Sequence, residues 1–284
     1  MASSYIQEVL ADDPVVALQC NEASGTVLAD ATGKGHAATL SGGVVMGRAP
    51  MSPGLGTAVQ FTGGSAQFAQ AADLNASGDY AVEFVAKFSD TTTGFKQVFG
   101  PSTLNRAPNI FVNYPSAGQM VFRDDLSNNT LVYTAVDGVY RHYVFTRRGD
   151  VLELWVNGVL VRSITMAVGA ADPVRPYALM NGALGTLDEF AFYGHTLLPA
   201  RIQAHAARAL ALKKLAGVAK LDTGAAASLV LVRSWTTHQH LAEVVPANDG
   251  SWEASVGDGL FEITTLGPSG YQPVCHGPVA SVPD

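Results

Sequence analysis

The chain has 284 residues, of which 48% are hydrophobic and 14% are charged, and its formal net charge is −7. Because a single hydrophobic core rarely extends over so many residues, we expect two domains of unequal size, and the apolar content excludes a disordered chain. The acids are scattered and the longest basic runs are the dipeptides Arg147-Arg148 and Lys213-Lys214, which excludes a nucleic-acid-binding surface.

The N-terminal segment lacks the features of a secretory signal. Glu8, Asp12 and Asp13 stand where a signal peptide would need a basic start and an apolar stretch, and no apolar run of membrane-spanning length follows. We therefore expect a chain that is made in the cytoplasm and does not insert into a membrane. Cys20 and Cys275 fall in different expected domains, so we expect no structural disulfide between them.

Most of the first 195 residues alternate between apolar and polar side chains, with breaks at Gly, Asn and Pro. This period of two is typical of half-buried antiparallel strands. In the stretch 80–88, Glu83 and Lys87 fall on one face of the expected strand. The opposite face carries the apolar residues Val82, Phe84, Ala86 and Phe88. The sequence thus predicts a strand with one core-facing side.

The segment 140–162 predicts a three-stranded meander. Arg148-Gly149-Asp150 turns the chain once, and Asn157-Gly158 turns it again. Asn-Gly tolerates the two positive φ angles of a type I′ turn, so the strand after Gly158 should fold straight back.

One segment has helical character, from Pro199 to about Leu215. It is rich in Ala, Leu, Lys and Arg, begins with Pro in the first turn and carries Lys213-Lys214 near its expected C-terminus. Strand patterns resume at 228–233, 252–256 and 260–265. We therefore predict an all-β chain with a first domain over residues 1–215, a closing helix at about 199–215 and a small β-sandwich over 217–284.

Several motifs in the first domain occur in an ordered series. They are residues 14–18, 21–26, 30–36 and 56–61, the hairpin 142–158, and the closing run Leu-Asp-Glu-Phe-Ala-Phe-Tyr at 187–193, followed by 197–202 and His205. This series resembles the laminin G-like jelly roll of the concanavalin A-like superfamily. The resemblance covers residues 5 to 210 and implies a jelly-roll sandwich closed by a helix.

Residues 217–284 resemble another class of module more loosely. Asn248-Asp249-Gly250-Ser251-Trp252 and Gly270-Tyr271-Gln272-Pro273 are similar to motifs of immunoglobulin-like or carboxypeptidase-regulatory-like sandwiches on bacteriophage structural proteins. The pair of modules is similar to tail, fibre or capsid-decoration components of tailed phages. This resemblance implies a virion location, other virion proteins as partners and self-association into a homo-oligomer.

Asp188 shares strand parity with Phe190 and Phe192, which predicts an interior-facing carboxylate that needs a partner. In the resembling family, the acid at this position and an Asp of the N-terminal loop hold a structural Ca²⁺ together with loop carbonyls, which implies Asp188 and Asp30 as metal ligands here. The alternative is that both carboxylates accept main-chain hydrogen bonds and bind no metal.

Catalytic motifs are missing from the sequence. Asp124-Asp125 lie in an apparent turn, Asp188 and Glu189 should point to opposite faces, and no nucleophile elbow, phosphate loop or zinc-protease motif occurs. We expect a protein that is not an enzyme. A hydrolase or lyase whose acids converge from separate strands is the alternative. His238, His240 and Cys275-His276 lack zinc-finger spacing, and no zinc site is predicted.

Jelly rolls of this type bind ligands, often sugars, through rim loops or a concave sheet. The aromatic and polar candidates in expected loops are Phe95, Tyr114, Arg123, Asp125 and Asn128. The alternative is that these loops join strands or contact another subunit. The leading hypothesis is a phage virion structural protein with a host-surface glycan as a further partner. The competing hypothesis is a pair of carbohydrate-binding modules of a polysaccharide-active system.

Overall fold

The computed structural model describes residues 4–52, 55–68, 78–89, 94, 96–101, 108–123, 131–134, 138–165, 176–210, 213–235, 238, 240–256, 260–268 and 271–280. The chain forms two compact units, Met1–Leu210 and Ala211–Asp284. None of the described helices is long and apolar enough to cross a lipid bilayer.

The first unit contains two helices and sixteen strands within the described residues. The helices are α1 (Ser4–Ala11) and α2 (Pro199–Ala209); the strands are β1 (Val16–Leu18), β2 (Val27–Leu28), β3 (Ala38–Ser41), β4 (Val44–Arg48), β5 (Ala58–Thr62), β6 (Ser65–Phe68), β7 (Tyr80–Phe88), β8 (Lys96–Pro101), β9 (Asn109–Val112), β10 (Gln119–Arg123), β11 (Leu131–Thr134), β12 (Arg141–Arg148), β13 (Val151–Val156), β14 (Val159–Thr165), β15 (Tyr177–Asn181) and β16 (Leu184–Tyr193).

Two eight-stranded antiparallel sheets make up this unit. The first sheet has the order β14-β13-β12-β7-β16-β5-β4, with β1 paired to β16, and the second has the order β11-β10-β9-β8-β15-β6-β3-β2. The main core is formed by their facing side chains, including stacked or tilted ring pairs of Phe84 with Phe145 and of Phe99 with Phe190. The predicted all-β jelly-roll sandwich is confirmed.

Two local predictions in the first sheet are also confirmed. Val82, Phe84, Ala86 and Phe88 of β7 all belong to the main core. Asn157 and Gly158 adopt φ angles of 52° and 78°, and the turn pairs Val156 with Val159, as the type I′ turn requires.

The outer face of the first sheet is covered by both helices and by the segment around Met51 and Leu55. A second apolar cluster fills this layer, with contributions from Tyr5, Ile6 and Val9 of α1 and Ile202 and Ala209 of α2. The helix at the N-terminus was not predicted from the sequence. Its eight residues are too few to form a stable helix alone, so α1 depends on docking against the sheet.

The closing helix is shorter than predicted. It ends at Ala209, whereas the composition favoured a helix to about Leu215, and Lys213–Val218 forms β17 instead. Leu215 is buried and pairs with Ala254 of a neighbouring strand. The helix-favouring composition of this segment was therefore overridden by sheet pairing, a common tertiary effect on weak local preferences.

The second unit has six strands among its described residues. They are β17 (Lys213–Val218), β18 (Leu229–Ser234), β19 (His240–Val244), β20 (Ser251–Val256), β21 (Leu260–Leu266) and β22 (Val274–Ala280). β17 pairs with β20, and the other four form a sheet in the order β19-β18-β21-β22 around a core that includes Val230, Val232, Trp252 and Phe261. Its immunoglobulin-like classification stays a prediction.

Candidate functional site

The predicted loop residues do not form one site where the structure describes them. Phe95, Asp125 and Asn128 lie outside the described residues. Tyr114 lies in the loop that follows β9, with its ring 6.2 Å from that of Phe111. Arg123 ends β10 at the opposite end of the same hairpin. Tyr114 and Arg123 are therefore not brought together, and their ligand-binding role stays a prediction.

Asp30 uses both carboxylate oxygens to brace its loop. One oxygen accepts hydrogen bonds from the backbone amides of Ala17 and Thr32 at 3.2 and 3.1 Å. The other accepts the amide of His36 at 2.9 Å, and the Thr32 hydroxyl lies 2.8 Å from both. These bonds hold the pKa of Asp30 below its ordinary value despite partial burial. With its lone pairs so engaged, Asp30 favours the alternative in which this carboxylate accepts hydrogen bonds and binds no metal.

Asp188 is buried and has a hydrogen-bond partner, as predicted, but it occupies a β-bulge in β16 that changes the face of the sheet on which it lies. The register shifts between Leu187 and Glu189, so parity with Phe190 no longer places the Asp188 carboxylate in the main core. Its Oδ2 instead accepts the backbone amide of Met51 at 2.6 Å, in the outer layer. The expectation that Asp188 and Glu189 point to opposite faces is wrong for the same reason.

Asp188 and Glu189 are both almost completely buried, at 0% and 1% exposure. Burial raises the pKa of Asp188 to about 7, against the effect of the Met51 amide. Burial, together with the charges of Asp188 and Glu83, raises the pKa of Glu189 well above its ordinary value. Among the described residues, no three His, Cys, Asp or Glu side chains form a group suited to a metal ion. The calcium site on Asp30 and Asp188 stays a prediction.

Glu83 is the centre of a buried polar network on the outer face of the first sheet. Its carboxylate accepts hydrogen bonds from the hydroxyls of Tyr5 and Tyr193 at 2.8 and 2.6 Å. It also accepts a bond from His142 at 2.6 Å and one from Nδ1 of His205 at 3.0 Å. The donors come from α1, β16, β12 and α2. One carboxylate therefore joins both helices to two strands.

A second ion-pair chain extends this network towards the surface. Nε2 of His205 lies 2.8 Å from Asp12 Oδ2, within ion-pair distance but outside hydrogen-bond geometry. The Arg201 guanidinium donates to both oxygens of Asp12 at 3.0 and 2.9 Å and to Glu8 at 2.9 Å. Arg201 thereby ties α2 to the end of α1 and to the residue that follows it.

The charges of this network stabilise one another. Burial alone would raise the pKa of Glu83, but the charges and hydrogen bonds of His205 and His142 hold it well below its ordinary value. Burial alone would lower the pKa of His205, yet Glu83 and Asp12 raise it. Glu83, His142 and His205 are 0% exposed, so a solute does not reach these groups. Their hydrogen bonds and charges hold the two helices against the sheet.

A polar groove lies on the same face of the sheet, beyond the part covered by the helices. It has a volume of about 470 Å³ and is lined by Arg48, Gln60, Lys87, Ser89, Tyr140 and Thr186, with Gly47 and Ala49 at its side. Gln60, Thr186 and Lys87 are register partners on adjacent strands β5, β16 and β7. Their side chains therefore form one row across the sheet. This groove was not predicted from the sequence, although the outward parity of Lys87 was a signal.

Tyr140 and Lys87 are in contact within the groove. The Lys87 ammonium lies 4.7 Å from the centroid of the Tyr140 ring, and the Tyr140 hydroxyl donates to the Ala49 carbonyl at 3.2 Å. Burial raises the pKa of Tyr140, with an added contribution from Asp188, against a hydrogen bond with Thr186. The cation and the ring are therefore held in a fixed relation.

The second unit has a groove of its own. Its volume is about 330 Å³, and its lining includes Lys220, Asp222, Tyr271, Gln272 and His276. It mixes these polar groups with the apolar side chains of Val218 and Leu221. It also places an aromatic ring beside hydrogen-bonding groups.

Residues 61–203 match a laminin G family model described as the concanavalin A-like lectin/glucanases superfamily. The chain belongs to this superfamily. The matched range contains β7, β12 and β16, which carry Glu83, His142 and Glu189, and it ends within α2. The matched range thus includes the central strands of the sheet that carries the buried network and the polar groove, whereas Arg48 and Gln60 of the groove lie outside it.

Solved structures with the same fold include sugar-bound proteins. The binding domain of botulinum neurotoxin serotype D has a TM-score of 0.55 at 12% identity, over 94% of this chain and 70% of that chain. The serotype D ligand-binding domain in complex with N-acetylneuraminic acid has a TM-score of 0.51 at 10% identity, over 91% and 72%. At such identities the likeness shows the fold alone.

A third match is domain 4 of AbnA, a GH43 extracellular arabinanase from Geobacillus stearothermophilus, in complex with arabinotriose. Its TM-score is 0.53 at 18% identity, over 68% of this chain and 98% of that chain. No curated protein matches the chain.

Proposed function

We propose that this member of the concanavalin A-like superfamily is a non-enzymatic carbohydrate-binding protein whose polar groove holds the sugar. The observation that carries the proposal is the groove lining. A side-chain amide, two hydroxyls and a tyrosine ring converge with two basic side chains in a volume of about 470 Å³. Sugars present hydroxyls and apolar ring faces, so such a lining is complementary to them, and the volume lies within the usual range for ligand sites.

The burial of the described acidic clusters supports a binding role over a hydrolytic one. Glycoside hydrolysis needs two carboxyl groups that flank a bound sugar. Glu83, Asp188 and Glu189 are at most 1% exposed, and Glu83 is fully engaged by its tyrosine and histidine donors. Glu83 therefore stabilises the fold, and none of the three acids is exposed to an entering sugar.

A glycan array with the purified chain tests the binding proposal. We expect saturable binding to a defined set of oligosaccharides and loss of that binding in Tyr140→Leu, because the ring positions Lys87 and forms one wall of the groove. Tyr133→Leu is the matched control, since this partly buried tyrosine lies on β11 of the second sheet. An array without saturable binding, or equal loss in both variants, would overturn the proposal.

We propose further that the chain works within the virion of a tailed bacteriophage, as a decoration, fibre or tail component that assembles with itself and other virion proteins and attaches to a host-surface glycan. The combination of a jelly-roll unit with a small second β unit supports this proposal, as does the symmetry of virion positions, which favours repeated subunits. Labelled antibody on intact particles should decorate them at symmetric positions. Exclusive recovery with a polysaccharide-degrading system would favour the carbohydrate-binding-module alternative.

The structural calcium is a separate proposal. The unpartnered Oδ1 of buried Asp188 supports it, because a buried carboxylate oxygen without a donor is costly. The saturated carboxylate of Asp30 supports the metal-free alternative. Melting curves in calcium and in chelator decide between them: a lower Tm in chelator that Asp188→Asn abolishes supports the metal, and identical curves contradict it.

A further inference from the structure

The polar groove carries positive charge in a chain whose net charge is negative. Arg48 and Lys87 both line it, while the chain as a whole has a formal net charge of −7. Within the part of the chain that the structure describes, neither cation has an acidic side chain at ion-pair distance. This contrasts with Lys34 and Arg201, which are paired with Asp13 and with Asp12 and Glu8.

The basic group of Lys87 is held in place before any ligand arrives. Its stem rises from β7 opposite Thr186, and its ammonium lies over the Tyr140 ring. The ring is itself anchored through the hydroxyl to the Ala49 carbonyl. A lysine so fixed loses less conformational entropy on binding than a free surface lysine, which increases its contribution to affinity.

We propose that the groove selects acidic oligosaccharides and that Lys87 binds the carboxylate or sulfate of one sugar residue, while Arg48, on β4 at the other side of the groove, adds to its positive charge. This inference rests on the proposed glycan binding and names its substrate class. Gln60 and Thr186 continue the row of polar side chains from Lys87 across two more strands, over about 10 Å at the usual strand spacing. The ion pair would fix the acidic residue at one end, and the amide and hydroxyl would bind the neighbouring sugar.

The two basic side chains of the groove favour an anionic sugar over a neutral one. A charge-assisted hydrogen bond from an ammonium or guanidinium to an oxyanion is about twice as strong as a neutral one. A neutral sugar in the same place would leave the two cations that line the groove without a counter-charge. Affinity for the acidic ligand should therefore fall as salt screens the pair, between about 0.05 M and about 0.5 M NaCl.

The test uses the full chain and a matched pair of ligands. A glycan array first ranks uronate, sialylated, sulfated and neutral oligosaccharides. Titration calorimetry then compares the best carboxylate hit with its methyl ester, which has the same shape without the charge, and with a sulfated counterpart. We expect the acid to bind at least about tenfold more tightly than the ester. Equal affinity for the carboxylate and the sulfated ligand would show that the groove selects for negative charge alone. A higher affinity for one of them would show which anionic group the groove prefers.

Variants separate this inference from the proposed function. Lys87→Gln should reduce the acid's affinity to that of the ester, while Lys96→Gln, which removes the same charge from the second sheet, should leave it unchanged. Arg48→Gln, at an exposed position, gives the same test without risk to the fold. If sugars bind but acid and ester are equal in every variant, the charge selectivity is wrong and glycan binding stands. If no sugar on the array binds saturably, both proposals fail.

Discussion

Glu83 shows how one buried side chain can fix the positions of two helices on a sheet. A glutamate on the polar side of an amphipathic strand is expected in water, and the alternation of β7 correctly places it opposite the core. The structure nevertheless buries it completely, because two tyrosines and two histidines supply the donors that replace water. Periodicity identifies the face of a residue, whereas its burial depends on what packs against that face.

Removing the charge of Glu83 should be strongly destabilising. Glu83→Gln keeps the shape but places an amide N–H₂ among hydrogen-bond donors, and loss of one partner from a buried ionic network costs about 3–5 kcal/mol. The free energy of unfolding in urea measures this. The control is Asp150→Asn at an exposed turn, which should change stability by less than about 0.5 kcal/mol. Equal effects of the two variants would show that the network is not stabilising.

The same network predicts a pH optimum of stability. The pKa of Glu83 is lowered in the folded state, so its contribution is present above its ordinary value of 4.5 and is lost as the pH falls through the folded pKa. The pKa of His205 is raised, so its contribution is present below 6.5 and is lost as the pH rises through the folded pKa. Both contributions are complete between these two values.

Urea unfolding across this pH range checks the prediction in wild type and in His205→Gln. The difference in stability between the two proteins should be largest from pH 4.5 to 6.5 and should shrink on the alkaline side. Asp12, Tyr5, Tyr193 and His142 also face this cluster and are common to both proteins, so the difference isolates His205. A difference that grows with rising pH would contradict the assigned direction of the shift.

At the level of elements, the hairpin β13–β14 links a local sequence signal to a tertiary contact. Asn157-Gly158 specifies a type I′ turn by its tolerance of positive φ, and the structure confirms the turn. A Cβ at Gly158 would also lie only 3.1 Å from the Ala206 Cβ of α2. The turn therefore also packs against the closing helix α2, and the sequence pattern alone does not reveal this contact.

Two alanine substitutions separate the strain of the turn from contact with the helix. Gly149→Ala, at φ 58° with open space around it, should cost about 1–2 kcal/mol of backbone strain. Gly158→Ala, at φ 78°, should cost about 1 kcal/mol more, because its new methyl group must displace α2. Chemical denaturation measures both values. Equal losses of unfolding free energy in the two variants would mean that α2 shifts away from residue 158 without a measurable loss of stability.

The elements that the sequence predicted well are those whose signals are local. Strand alternation in β7 and the two turns around β13 were read correctly from neighbouring residues. The elements that were misread depend on distant partners: α1 needs the sheet, and residues 213–218 pair with β20 instead of extending α2. The bulge at Asp188 likewise has no local signature, so its carboxylate was assigned to the wrong face.

For the whole molecule, the sequence identified the superfamily but not the groove that is proposed to bind the ligand. The rim-loop candidates Tyr114 and Arg123 lie at opposite ends of one hairpin. The groove on the first sheet combines residues from β4, β5, β7 and β16 with Tyr140, which are distant in sequence and meet only through strand order. Since strand order follows from the complete fold, no single stretch of sequence could have predicted this site.

The most direct test of the account is to map a bound acidic oligosaccharide on the full chain by backbone amide chemical shifts. We expect the largest saturable shifts at Lys87, Tyr140, Gln60 and Thr186, and we expect Lys87→Gln to abolish them. Shifts centred on Tyr114 and Arg123, or on the groove of the second unit around Tyr271 and His276, would contradict the assignment of the polar groove on the first sheet as the binding site.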